Sequence, residues 1–312
     1  MHPFAFVFPG QGSQSVGMLD AWGDHPAVSL TLEEASTALG EDVAALIHAG
    51  PKDALEFTTN TQPVMLTAAI CCYRAWLAEG GAEPAAVAGH SLGEYSALVA
   101  AGALTLADAL PLVRFRAQAM QQAVPVGAGA MAAILGLDAA TVRDGCAAVA
   151  AEFGEVVAPA NFNDPKQTVI AGSKAGVDLA CNKLKAMGAK RALLLAVSAP
   201  FHSMLMRPAA EALRERLASV TIAAPRIALV NNIDVAVQTE PDAIRDALYR
   251  QAFGPVRWVE VTQALRARGL LHILECGPGK VLSGLVKRVD ADIQSLTVLD
   301  PASLLAAKEL LQ

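Results

Sequence analysis

The sequence predicts an α/β fold: a mostly parallel sheet carrying helices, interrupted by a smaller unit of β-α-β-β-α-β, ferredoxin-like order. Three observations predict it. Short, wholly apolar runs recur along the chain and end at Gly or Pro turns, as strands covered on both faces do. Helix signals follow most of these runs. Between about Gly127 and Val197 the order changes, with two strands in succession joined by the turn residues Asn163-Asp164-Pro165.

Taken in order, Phe4–Phe8 is a buried strand closed by Pro9-Gly10-Gln11-Gly12. No element is assigned from there to Ala86–Gly89, the second buried strand. Gly93–Ala101 reads as helix. Leu106–Gln122 is a longer helix with Thr105 as N-cap, and Pro111 marks either a kink or a later start. The smaller unit follows: strand Met131–Leu135, helix Ala139–Ala151 capped by Asp138, strands Val156–Asn161 and Thr168–Ala171, helix Gly176–Met187 ended by Gly188, and strand Ala192–Val197. A helix over Leu205–Leu217 and strands at Ile227–Asn231, His272–Glu275 and Ser295–Leu299 resume the larger unit. The division expected is 1–126 with 198–312 as the large domain, and 127–197 inserted in it.

Composition narrows the function. Of 312 residues, 54% are hydrophobic and 17% charged, which excludes intrinsic disorder. The net charge of -6 and the lack of any long basic run give no support to nucleic-acid binding. Mean hydropathy is +0.39. Yet the longest apolar stretches, such as Val64–Cys72 and Ala192–Val197, fall short of the ~20 residues that span a bilayer. The N-terminal residues lack a basic segment, so no signal peptide is expected. Cys71, Cys72, Cys146, Cys181 and Cys276 form neither a disulfide framework nor a metal site, and reduced thiols in a cytoplasm are expected.

The strongest chemical signal is Gly89-His90-Ser91-Leu92-Gly93, a G-x-S-x-G between a strand and a helix. That context suits a nucleophile elbow, in which small residues permit a sharp turn and the helix N-terminus faces developing negative charge. A plain small-residue turn is the alternative. A nucleophilic serine needs a base. Of the six histidines, His2 is terminal, His25 and His48 have polar or helical surroundings, and His272 lies in an apolar run. His90 is expected to point away from its neighbour Ser91. His202, in Ser198-Ala199-Pro200-Phe201-His202-Ser203 after a strand, is the best base by elimination, with an exposed loop histidine as the alternative.

Phe8-Pro9-Gly10-Gln11-Gly12-Ser13-Gln14 fails the dinucleotide fingerprint, because Ser15 stands where glycine is required. The loop fits either a backbone oxyanion site or a strand-ending turn, and the residues alone favour the turn. Arg116 could clamp a carboxylate, although a surface arginine is the commoner reading of such a residue.

Together these pieces resemble the malonyl-CoA:acyl carrier protein transacylases. The resemblance rests on the loop at 8–14, Gly89–Tyr95, Arg116 before Met120, and Ala199-Pro200-Phe201-His202-Ser203. Gln251 before Pro255-Val256-Arg257-Trp258, and Glu275-Cys276-Gly277-Pro278-Gly279, complete the set. The motifs run in the family's order across nearly the whole chain. The resemblance implies an α/β-hydrolase-like large domain with a ferredoxin-like insertion, and transfer of malonyl from malonyl-CoA to the phosphopantetheine thiol of an acyl carrier protein, in fatty acid synthesis. It implies no metal or cofactor.

The resemblance also implies roles. Ser91 is the acylated nucleophile and His202 its base. Gln11 and Leu92 supply the oxyanion hole through backbone N–H groups, and Arg116 pairs with the malonyl carboxylate. The Gln251 carbonyl orients the histidine. Gln251, Asn161, His90 and Phe201 complete the substrate-binding set; the bulk of Phe201 points toward malonyl, while the sequence leaves the choice between malonyl and methylmalonyl open. Ala117 departs from the family, which usually has glycine after the arginine. The rivals are a serine esterase or thioesterase, with Asp108, Asp144 or Asp164 as triad acid, a polyketide acyltransferase or editing acyl hydrolase, and an inactive docking module. Two basic patches are candidates for carrier-protein docking: Lys183, Lys185, Lys190 and Arg191, and Lys287 with Arg288.

Overall fold

The computed structural model describes residues 2–312. Its larger sheet is wholly parallel, with the order β7-β2-β1-β8-β9. Strand β1 (Phe4–Phe8) lies at the centre, flanked by β2 (Ala86–Gly89) and β8 (His272–Cys276), with β7 (Ala228–Val230) and β9 (Thr297–Val298) outside. The β1 sequence Phe-Ala-Phe-Val-Phe explains its place. Alternate residues face opposite sides of a strand, and here both sides are apolar. Phe4, Phe6 and Phe8 enter one hydrophobic core, while Ala5 and Val7 enter the other. Phe6 meets Tyr73 and Trp76 edge-on, with ring centroids 6.0 and 5.4 Å away.

Those two aromatics belong to α4 (Thr58–Ala78), which follows α1 (Pro26–Leu39), α2 (Val43–Ala49) and α3 (Lys52–Glu56) in the stretch left unassigned by the sequence. Helix α4 is buried on nearly every side from Thr61 to Tyr73, so it shows no 3.6-residue alternation of apolar and polar residues. Helix α5 (Gly93–Ala100) follows β2. Helix α6 (Leu106–Gln122) is capped by Thr105 and continues past Pro111, so the proline marks no later start.

The smaller sheet is antiparallel with the order β4-β5-β3-β6. It comprises β3 (Gly129–Leu135), β4 (Val157–Asp164), β5 (Gln167–Ser173) and β6 (Arg191–Leu194). Helices α7 (Ala139–Phe153) and α8 (Lys174–Ala186), capped by Asp138 and Ser173, cover one face. The other face carries Met131, Ala133, Ala160, Val169 and Ala171, with Val197 and Phe201 packed on it. The predicted strand at Ala192–Val197 forms only as far as Leu194, and the turn residues Asn163 and Asp164 end β4 itself.

After α9 (Arg207–Ala218) and β7 come α10 (Pro241–Phe253), α11 (Trp258–Ala267), β8, α12 (Val281–Val289), β9 and α13 (Pro301–Leu310). The two sheets are tied together. Asn161 bridges Val256, Phe162 N–H donates to Val256 O at 2.9 Å, and Arg288 Nε donates to Asp164 Oδ2 at 2.7 Å. None of the described helices is long and apolar enough to cross a membrane.

Candidate active site

The C-terminal end of β2 turns sharply into α5, and the two glycines explain how. A β-carbon on Gly89 would lie 1.9 Å from the Gly93 carbonyl, and one on Gly93 would lie 2.0 Å from Phe8 O. Ser91, between them, has φ of +52°. A non-glycine residue adopts that left-handed conformation at a cost of about 1–2 kcal/mol. Bonds on both sides hold it. Ser91 N–H donates to Asn232 Oδ1 at 2.8 Å, and Gln251 Nε2 donates to Ser91 O at 3.0 Å.

Ser91 Oγ is 2.7 Å from His202 Nε2. His202 has a left-handed backbone too, at φ +59°, and is 4% exposed. Its Nδ1 faces two main-chain oxygens, Gln251 O at 2.9 Å and Gly254 O at 3.1 Å. Two acceptors at Nδ1 place the proton there and leave Nε2 free to accept from serine. None of the three aspartates considered as a triad acid lies there. Asp108 sits at the exposed start of α6, Asp144 is exposed on α7, and Asp164 pairs with Arg288. Burial, with the Arg116 charge adding to it, pushes His202 down to about 3, so the ring is neutral at ordinary pH.

Arg116, on α6, is 2% exposed. Its guanidinium donates to Gln62 Oε1 at 2.8 Å, Gln251 Oε1 at 3.1 Å and Ser91 Oγ at 3.3 Å, and lies 5.5 Å from the Tyr95 ring centroid. Nε is buried without a partner. Every hydrogen-bond partner is neutral, and no carboxylate among the described residues forms a salt bridge with it. Its neighbour Arg114 faces outward and is paired with Glu41.

A cleft of 460 Å³ opens above these groups, between the two sheets. Gln11, His90, Ser91, Leu92 and Arg116 line it from the larger sheet, and Met131 and Asn161 from the smaller. Gly10 lets the N-terminal loop close onto the elbow, since a β-carbon there would lie 2.7 Å from His90 O. The backbone N–H groups of Gln11 and Leu92 have no acceptor among the described residues. Two such donors beside a nucleophile suit a developing oxyanion.

Other expectations fare differently. His90 lines the cleft, and its Nε2 bonds Asn163 Oδ1 of β4 at 2.8 Å. Phe201 and Asn161 both line the cleft. Gln251 does not: it is fully buried behind Arg116 and His202 and touches no cleft surface. Ala117, also fully buried, packs without disturbing the Arg116 bonds. His272 is not among the cleft residues; it is 7% exposed and stacks on His2 with ring centroids 4.8 Å apart. Sequence reasoning missed Asn232, Gln62, Glu94 and Asn163. The Asn231-Asn232 pair after a strand was the available signal, because sites gather at strand ends in parallel sheets.

A serine elbow, a histidine held by carbonyls and a buried cation beside the serine, in a cleft between a parallel and an antiparallel sheet, define an acyl-transferring enzyme. The chain belongs to the acyl transferase domain family, whose model matches residues 5–300. It is 52% identical over 311 residues to the malonyl CoA-acyl carrier protein transacylase of Escherichia coli K12, covering 99% of this chain and 100% of that one. The crystal structure of an acyl-carrier-protein S-malonyltransferase from Burkholderia pseudomallei 1710b matches with a TM-score of 0.96 and 64% identity, over 98% of this chain and 99% of that one. A malonyl-transacylase solved in complex with its type II PKS acyl-carrier protein matches with a TM-score of 0.96 and 47% identity, over 99% of both chains.

Proposed function

We propose that the chain moves a malonyl group from malonyl-CoA to the phosphopantetheine thiol of an acyl carrier protein through malonyl-Ser91. His202 Nε2 takes the Ser91 proton as Oγ attacks the thioester carbonyl. The backbone N–H groups of Gln11 and Leu92 receive the oxyanion, each at a benefit of about 3 kcal/mol in comparable sites. The tetrahedral intermediate collapses, the C–S bond breaks, and the CoA thiolate leaves with the proton from His202. The carrier thiol then gives its proton to His202 and attacks the malonyl ester. Ser91 leaves and recovers that proton. The chain's own groups supply base, oxyanion donors and carboxylate partner, so the reading calls for no metal or cofactor.

The observation that carries this reading is the buried Arg116 guanidinium, 3.3 Å from the nucleophile and bonded only to neutral oxygens. A buried cation with no carboxylate bonded to it is costly; Glu94 acts on it only through space, and the free carboxylate of malonyl supplies a direct partner at the reacting end of the substrate. His90, Asn161 and Phe201 also line the cleft. Residues 127–197, read as a small domain inserted between 1–126 and 198–312, supply one side of it.

The free, buried cysteines accord with a reducing cytoplasm, and we assign the reaction there, in fatty acid synthesis. The complex with a type II PKS carrier indicates that a related enzyme serves a polyketide carrier. Incubation with malonyl-CoA followed by intact-mass measurement tests the reading. The protein gains one malonyl group, Ser91→Ala gains none, and addition of carrier protein discharges the adduct onto the carrier. Hydrolysis at the same rate without carrier would identify a thioesterase instead.

A further inference from the structure

Glu94 follows the elbow on the first turn of α5 and is 2% exposed. A carboxyl group buried that deeply needs partners. Its Oε2 accepts the backbone N–H of Asn232 at 2.9 Å and Nε2 of Gln251 at 3.2 Å. These are the two residues that hold the Ser91 peptide. Asn232 Oδ1 takes the Ser91 N–H, and Asn232 Nδ2 donates to Gly89 O at 2.6 Å. Gln251 Nε2 holds Ser91 O, its Oε1 holds Arg116, and its main-chain oxygen holds His202 Nδ1. Nucleophile, base and cation are therefore one bond from Asn232 or Gln251, and both of those are bonded to one oxygen of Glu94.

We propose that Glu94 is a positioning residue for acyl transfer: its Oε2 locks Asn232 and Gln251 against the two sides of the strained Ser91 peptide, and through Gln251 sets His202 and Arg116. It acts through these residues and does not touch the reacting atoms. Asn232 is the second member of the device. The assignment rests on the acyl-transfer reading of Ser91.

Two variants of similar volume separate this role from packing. In Glu94→Gln the amide oxygen still accepts both bonds, and Asn231 and Gln238 are among the residues that line the small cavity Glu94 adjoins. Glu94→Met fills the space and accepts neither bond. Two rates are measured: Ser91 acylation by malonyl-CoA, and Ser91 labelling by a fluorophosphonate, which brings no carboxylate to Arg116. Glu94→Gln stays within about threefold of the unaltered protein, while Glu94→Met falls about 100-fold in both, the scale of an ångström misplacement.

Equal rates in the two variants, fast or slow, overturn the proposal. Should Glu94→Met fail to fold, Asn232→Ser decides. It keeps the backbone bond to Glu94 but removes the side-chain bonds to Ser91 and Gly89, and it slows both reactions at least tenfold. An unaltered rate overturns the proposal. If the unaltered protein takes up no malonyl but is labelled by fluorophosphonate, the acyl-transfer reading fails, and the labelling rates alone decide the role of Glu94.

Discussion

Arg116 and His202 are coupled through one hydroxyl. The guanidinium donates to Ser91 Oγ, which lies 2.7 Å from His202 Nε2, so the cation opposes the imidazolium that catalysis must form. On the proposed reading a malonyl carboxylate on Arg116 would cancel that opposition, and an acetyl group would not. Arg116→Ala removes a charge-assisted contact worth about 1.5–3 kcal/mol, so malonyl transfer falls by roughly ten- to 150-fold in kcat/KM. Acetyl transfer gains relative to it. The ratio of the two kcat/KM values checks this, and equal losses would indicate a folding defect. The same burial sets the pH dependence. An ordinary histidine loses its basic form below about pH 6.5. With His202 pushed down to about 3, the neutral ring persists well below that pH. Glu94, raised to about 7 by burial, keeps an unprotonated oxygen for its two donors when it titrates. The kcat/KM for Ser91 acylation is therefore expected to stay level from pH 8 to about pH 5. An acid limb centred near 6.5 would contradict the assignment.

The elbow works as an element because β1, β2 and α5 leave it no room to relax. A methyl on Gly93 meets Phe8 O at 2.0 Å, and Phe8 lies in the central strand, in register with Gly89. Gly93→Ala is thus expected to cost at least about 3 kcal/mol, lowering Tm by about 5 °C or more for a chain of 312 residues. Gly284 in α12 is the contrast. The nearest atom to an added β-carbon there is Arg288 Nη1 at 3.6 Å, so Gly284→Ala stabilises by about 0.5–1 kcal/mol. Thermal melts of the two variants check both signs. Elements of this kind were legible where the sequence carries contrast. The G-x-S-x-G glycines, the apolar β1 run and the Thr105 and Asp138 side chains that cap α6 and α7 all follow local chemistry. Helix α4 was not legible, because burial on nearly all sides removes the periodicity that marks a surface helix. Nor were Asn232 and Gln62. Their bonds to Ser91 and Arg116 join residues far apart in the chain, and only the order of strands and helices brings them together.

At the scale of the whole molecule, the net charge of -6 sets a problem for a partner such as an acyl carrier protein, which the family resemblance describes as acidic. Docking needs a local basic surface. The fold sorts the candidates. Arg288 is bonded to Asp164 and ties α12 to the smaller sheet, and Lys183 lies 3.7 Å from Glu152. Arg288 is therefore spent on holding the two parts of the molecule together, and its reversal would disturb the cleft itself. Lys185, Lys190, Arg191 and Lys287 are exposed and form no salt bridge among the described residues. Beyond Arg191, the chain runs along the open edge of β6 to Leu195, Ala196 and Val197, which line the cleft. A carrier seated on the basic end of that edge would thus lie on a continuous path to Ser91. Combined Lys185→Glu and Lys190→Glu substitutions, or Lys287→Glu alone, are expected to raise the carrier-protein KM several-fold at low salt. The effect should shrink as salt screens the charges. Acylation of Ser91 by malonyl-CoA, measured without carrier, should stay near its unaltered rate, since rim charges steer association and leave the chemistry alone. Carrier kinetics unchanged at low ionic strength in both variants would move the docking surface to another face of the molecule.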